Sequence, residues 1–161
     1  MILAIDPGTT ESAFVLLNGK TPVDWGKIPN EDMLRRIRLG FVSARECAIE
    51  MIAHYGTGMA VGEDVYKTVL WIGRYAEAWA KSDAPEAVLL KRKEVTHQIC
   101  NSVTARDTNV RQAMLDRFGG KDKAIGSKAA PGPLYGMKRD VWQALAVAVA
   151  YSERRDLAWK L

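Results

Sequence analysis

A chain of 161 residues builds one hydrophobic core without disulfide staples and is too short for two large lobes around a cleft. Its 23 Lys and Arg against 19 Asp and Glu leave a net charge of +4, and with no long basic run this excludes a histone-like, tail-driven mode of binding. Two cysteines and two histidines, none of them clustered, exclude a structural zinc site, so any metal here is held mainly by carboxylates.

Met1 to Ile5 is a short apolar run closed by Asp6-Pro7-Gly8, the pattern of a buried strand. Thr10 to Leu17 follows as a second strand, with Ala13, Val15 and Leu17 on one face. Asn18-Gly19 marks a hairpin, and Val23 to Ile28 is the third strand. Asn30 caps a helix with Glu31 and Asp32 in its first turn. Leu34, Ile37, Phe41, Ala44, Ala48, Met51 and Ile52 recur at helical spacing and carry that helix to about Tyr55, bent near Gly40 and stopped by Gly56 and Gly58. Met59 to Gly62 reads as a short strand with Glu63-Asp64 at its end. Trp71, Tyr75, Ala78 and Trp79 share a face of the next helix, which Asp83-Ala84-Pro85 breaks. Ala87 to Leu90 is the fifth strand. Helices follow over Glu94 to Asn101, Thr108 to Phe118 and Lys138 to about Arg155, the last followed by a short tail, 158–161. Residues 120–137, dense in glycine, proline and lysine, read as a mobile loop. The order predicts a single α/β domain over residues 1–161. Its core is a five-stranded mixed sheet with three antiparallel N-terminal strands and helices on both faces.

The chain has no G-x-S-x-G elbow, no phosphate-binding Walker loop and no H-E-x-x-H pair, which leaves carboxylates at element ends as the chemistry-bearing groups. Asp6 closes the first strand, where a charge is costly to bury unless paired or bound to metal. The plainer alternative is a turn aspartate bonded by the amides of Gly8 and Thr9. Glu63 stands where parallel-sheet folds place their sites, beyond a strand end; an ordinary edge carboxylate is the alternative. Asp140 opens the last helix, where an acid is favoured electrostatically in any case, and Gln143 lies one turn on along the same side. Glu153 is roughly 20 Å further along that helix and outside any shared site. Three carboxylates from distant parts of a chain together hold two Mg²⁺ ions, which activate water and stabilise a leaving oxygen in phosphodiester hydrolysis; Mn²⁺ is the natural substitute.

Four blocks, in order along nearly the whole chain, resemble the RuvC-type Holliday junction resolvases, and more closely the compact phage-encoded branch of that family. They are Ile2 to Ala13, Ala60 to Tyr66 with Ile72-Gly73-Arg74, Leu89 to Thr96, and Arg139 to Ala148. The resemblance implies a ribonuclease H-like fold. It implies a homodimer that nicks opposed strands of four-way DNA and leaves 5′-phosphates. By it Asp6, Glu63 and Asp140 are catalytic and metal-holding. Gln143 falls where the family carries a further acidic or histidine ligand, and supplies no charge there. Glu11 and Asp64 are the substitutes. Lys91, Arg92 and Lys93 match a region near the active site, where cations lower the barrier to phosphoryl chemistry. Lys121, Lys123, Lys128, Lys138 and Arg139 form a backbone-reading DNA surface, and Tyr66 a stacking platform. Each of these also has the plain reading of a solvated side chain.

Trp71 and Trp79 fall in the region of the family's dimer contact, with packing against the sheet as the equal alternative. An actin-like or sugar-kinase ATPase shares the Asp6-to-Thr10 pattern but needs a second lobe, so no nucleotide cofactor is expected. A broader branched-DNA or flap nuclease and a non-catalytic DNA-binding accessory protein are the remaining alternatives. No apolar run reaches the roughly 18 residues of a membrane span, and no leader precedes the first strand; with at most one disulfide possible and Cys47 read as a buried free thiol, this places the protein in the cytoplasm, the host's if phage-encoded.

Overall fold

The computed structural model of the protein describes residues 1–40, 43–52, 62–81 and 84–158. Strands β1 (Ile2–Asp6), β2 (Glu11–Asn18) and β3 (Thr21–Pro29) form an antiparallel meander. Strands β4 (Glu46–Met51) and β5 (Val88–Lys91) add to the other side of β1, both parallel to their neighbours, giving the order β3-β2-β1-β4-β5.

Alternation along the strands builds two cores on the two faces. Leu3, Ile5, Phe14, Cys47 and Ile49 pack beneath helices α1 (Asn30–Arg38) and α2 (Glu63–Ala80). Ile2, Ala4, Ala13, Val15, Ala48 and Leu90 pack beneath α3 (Arg92–Cys100), α4 (Asp107–Arg117) and α6 (Val141–Ala158). Ala144 to Ala148 of α6 are wholly buried, because the sheet covers one side of that helix and α3 and α4 cover another. Among the described residues no helix is long and apolar enough to cross a membrane.

The expected helix from Asn30 to about Tyr55 is not one element. It stops at Arg38, where Gly40 at φ +67° turns the chain, and its second half is β4. Cys47 and Ile49 point to one core and Ala48 to the other, so β4 is buried on both faces. A strand buried on both sides shows a continuous apolar run, which periodicity does not separate from a helix. Cys47, expected in a helix, is a buried free thiol of that strand, and Cys100 is free as well. The strand expected over 59–62 lies, apart from Gly62, outside the described residues, as do 53–58 with Gly56 and Gly58, Phe41, Asp83 and 159–161. Glu63 and Asp64 do not end a strand; they open α2.

The segment 120–137 contains helix α5 (Lys121–Ala124) and is tied to the core. The Leu134 amide donates to the Ala124 carbonyl at 2.8 Å and the Gly132 amide to Ile125 at 2.8 Å, while Ala124, Leu134 and Met137 are buried.

The turn after β1 is fixed by a buried polar network. Ser12 Oγ donates to Asn30 Oδ1 at 2.7 Å and lies 3.0 Å from the Tyr75 hydroxyl. Asn30 Nδ2 donates to the Gly8 carbonyl at 3.0 Å, and the Asn30 amide to Thr10 at 2.9 Å. Gly8 is required here, since a Cβ would meet the Glu11 carbonyl oxygen at 2.4 Å. Asn30→Ala leaves the Gly8 carbonyl without its side-chain donor and Ser12 with Tyr75 alone, and is expected to cost about 1–3 kcal/mol in urea unfolding. An unchanged midpoint would show that the turn holds itself.

Candidate active site

Ile5 lies opposite Ile49 in the parallel β1–β4 pair, so Asp6 and Glu50, one residue on, stand side by side at the carboxyl ends of neighbouring strands. Two residues earlier, Ala4 and Ala48 both belong to the core beneath α6, so Asp6 and Glu50 face that same side. The row continues from Asp6 through Ala13 on β2 to Lys27 on β3, and from Glu50 to Leu90 on β5. Asp140 enters from the turn that starts α6, and Asp107 is the first residue of α4.

Burial, and then the negative fields of Glu50 and Asp140, push the Asp6 carboxyl well above its ordinary range; Arg92 offsets part of this and Asp107 adds to it. Burial also raises Glu50, against the pull of Arg92. Among the described residues no amide of the following turn donates to Asp6, so the turn-aspartate alternative is not realised. Two cations sit among these acids. Arg92 places Nη1 3.3 Å from Glu50 Oε1 and donates through Nη2 to Asp107 Oδ1. Lys27 Nζ lies 2.7 Å from Asp140 Oδ2 and 3.8 Å from Glu11 Oε2. Arg92 and Lys27 are the cations paired with Glu50, Asp107 and Asp140, while Arg111 and Arg139 stand at the cleft beside Asp107 and Asp140. All the acidic donors are hard oxygens, the chemistry that suits Mg²⁺ or Mn²⁺. Among the described residues no three His, Cys, Asp or Glu side chains converge closely enough to hold one ion as they stand. Glu50 and Asp140 are turned instead to Arg92 and Lys27.

Of the residues expected at the site, Asp6 and Asp140 come together. Glu63 does not join them. Its side chain is 79% exposed and pairs with Lys67 at 2.6 Å along α2. Glu63 does not bear on Asp6; Glu50 does, from the strand hidden inside the expected helix. Asp64 also lies on α2, and among the described residues Glu11 pairs with Lys27 alone. Gln143 is 7% exposed, and its amide makes no hydrogen bond among the described residues. With Asp107, Arg111, Arg139, Asp140 and Trp142 it lines an open cleft of ≈ 480 Å³. Lys138 and Arg139 are exposed at the edge of this cleft, and the Arg111 guanidinium lies 5.1 Å over the Trp142 ring. Lys91 and Lys93 are exposed beside Arg92, and Lys121, Lys123 and Lys128 are exposed on the α5 segment. Arg92 itself is engaged by Glu50 and Asp107. Tyr66 is 66% exposed on α2. Trp79 is core, its Nε1 donating to the Pro85 carbonyl at 2.8 Å, whereas Trp71 is half-buried beneath the Arg74 guanidinium at 4.1 Å.

Sequence reasoning missed Glu50, Asp107, Lys27 and Arg111. A signal for Glu50 was present, since an acid inside the apolar run Cys47 to Met51 is as costly as Asp6 inside its own. Lys27 and Asp107 carry no local mark, because only the strand register and helix packing bring them to the row.

No protein-family model matches the chain, and no curated protein is similar to it in sequence. Solved structures are similar in fold. RuvC of Thermus thermophilus superposes with a TM-score of 0.66 at 15% identity, over 98% of this chain and 96% of that one. The fold is that of RuvC. T. thermophilus RuvC in complex with a Holliday junction substrate gives a TM-score of 0.69 at 17% identity, over 98% and 95% of the two chains. The RuvC-like, ribonuclease H-like architecture therefore spans the described chain from β1 to α6, and the row from Lys27 to Leu90 lies at the carboxyl end of its central strands.

Proposed function

We propose that this protein is a metal-dependent, structure-selective endodeoxyribonuclease that resolves four-way DNA junctions by paired nicks leaving 5′-phosphates. It resembles the compact, phage-encoded branch of the RuvC-type resolvases and acts in the cytoplasm. The observation that carries this is the side-by-side placement of Asp6 and Glu50, with Asp140 close enough to act on Asp6, in a RuvC-like fold. Asp6, Glu50 and Asp140 are the residues that would hold Mg²⁺ or Mn²⁺, with Asp107 and Gln143 lining the cleft beside Asp140. Glu50 takes the part that the motif order had given to Glu63. When bound, the ions activate the attacking water and stabilise the leaving oxygen. The chain's own part is positional. Arg92 holds Glu50 and Asp107 in place, Lys27 holds Asp140, and the Asn30 network fixes the turn that follows Asp6.

Lys138, Arg139 and Arg111 at the cleft, with Lys91, Lys93, Lys121, Lys123 and Lys128 around it, bind the phosphate backbone without reading sequence. Two opposed cuts need two sites, so the acting form is a homodimer. The outer face of α2 supports it, with Tyr66, Val69 and Leu70 exposed on one side of the helix.

Labelled four-way, flap, Y-shaped and linear DNA, with an RNA–DNA hybrid, incubated in Mg²⁺ and in EDTA, tests the proposal. Paired symmetric nicks on the four-way substrate, lost in EDTA, are expected. Cutting of flaps at equal rate would assign a broader branched-DNA nuclease, and binding without cutting a DNA-binding accessory protein.

A further inference from the structure

Lys27 belongs to no motif. It lies on β3, at the far end of the row from Glu50, yet its ammonium reaches the acid that opens α6. The route is short because the intervening residue on β2 is Ala13, fully buried and too small to block a lysine passing over it. The acids stand between two cations: Lys27 with Asp140 at one end, then Asp6 and Glu50, then Arg92. One turn along α6 from Asp140 stands Gln143, neutral and largely buried, its amide making no hydrogen bond among the described residues and reaching the open cleft. The α6 side of the site thus offers an entering cation one carboxylate, already neutralised, and one amide.

We propose that Lys27 is a positioning residue of this site, a fixed ammonium that stands beside Asp140 in place of a second divalent ion. The proposal rests on the nuclease reading and deepens it. It makes the site take one divalent cation firmly, on the Asp6–Glu50 side, and a second only weakly, in competition with Lys27. Lys27 occupies Oδ2 of Asp140 at 2.7 Å and neutralises its charge, so a second ion must either share the carboxylate through Oδ1, against the repulsion of the ammonium beside it, or displace Lys27. A displaced ammonium is then free to meet a DNA phosphate arriving over the cleft.

The test is Mn²⁺ titration of the DNA-free protein by calorimetry and by electron paramagnetic resonance, for the natural chain, Lys27→Gln and Lys27→Arg. One firm ion is expected in the natural chain and in Lys27→Arg, which keeps the charge. In Lys27→Gln a second ion is expected to bind about three- to tenfold more tightly than in the natural chain, the release of a half-exposed ion pair and of like-charge repulsion. Four-way DNA binding in Ca²⁺ supplies a second readout: the salt slope of log K should shrink by about one in Lys27→Gln. Equal Mn²⁺ binding in the natural chain and Lys27→Gln, or two equally firm ions in the natural chain, would overturn the proposal. Failure of the nuclease reading is read elsewhere, as absence of cutting by the natural chain in Mg²⁺, and leaves the ion titration interpretable.

Discussion

Glu50→Gln should abolish junction cutting, by about 10²–10³-fold or more, while Glu63→Gln cuts at nearly the natural rate. The two substitutions remove the same charge and keep nearly the same shape, so the difference between them is one of place. Glu50 is 9% exposed, lies next to Asp6 on the neighbouring strand and is held by Arg92. Its amide analogue retains a hydrogen-bond acceptor for Arg92, and Arg92 keeps Asp107, so stability should change by no more than about 1 kcal/mol. Glu63 is exposed at the first turn of α2, and its bond to Lys67 is an i,i+4 surface pair worth about 0.3–0.5 kcal/mol. Steady-state cleavage of a labelled four-way junction, with a urea midpoint for each variant, separates loss of chemistry from loss of fold. Cutting that survives Glu50→Gln and fails with Glu63→Gln would move the site to the α2 side of the sheet.

That contrast also marks where sequence reading stops. The antiparallel meander was legible because Asn18-Gly19 and the turn Asp6-Pro7-Gly8 punctuate amphipathic runs, and the register then follows from alternation. The last helix was legible from its alanine-rich apolar pattern, and Asp140 with it. Strand β4 was not, because Leu34, Ile37, Phe41, Ala44, Ala48 and Met51 happen to keep a helical spacing across the Gly40 break. Glu50 was lost with β4, and the second acid was then sought at the next strand-like run, which led to Glu63. Asp107 and Lys27 illustrate a different limit; Arg92 was placed near the site by the resemblance, but its partners Glu50 and Asp107 were not. Asp107 and Lys27 are ordinary surface residues by pattern, and acquire their roles from pairing across 15 residues for Asp107 with Arg92 and across the sheet for Lys27 with Asp140. Local chemistry names the acids at strand ends; only topology pairs them with the cations that hold them.

Asp6→Asn should produce a protein that is more stable than the natural chain at neutral pH and that does not cut. In the native state, burial first and then Glu50 and Asp140 raise the Asp6 carboxyl well above its ordinary value. A folded-state pKa above the unfolded one means that the native state holds the proton more tightly. The stability linked to protonated Asp6 is therefore fully present below the unfolded value, and it is lost as pH rises through the raised folded value. At neutral pH, above the ordinary carboxylate range, the natural chain carries the cost of holding Asp6 in a site that disfavours its charge, and the asparagine variant does not. The variant should gain on the order of 1–2 kcal/mol, about 3–8 °C in Tm for a chain of this size. The gap should close at pH values below the ordinary carboxylate range, where both side chains are neutral. Mg²⁺ should close it from the other side, by raising the Tm of the natural chain alone, since an ion that needs the carboxylate stabilises only the state that has it. Thermal melts of the two proteins across pH, with and without Mg²⁺, make the measurement. A variant less stable at neutral pH, or a gap indifferent to both pH and Mg²⁺, would mean that the Asp6 charge is already satisfied within the protein and is not kept under strain for a cation. On the nuclease reading, the crowding of Asp6 by Glu50 and Asp140 that lowers the stability of the free protein is what would give the site affinity for a divalent ion and, through it, for a phosphate.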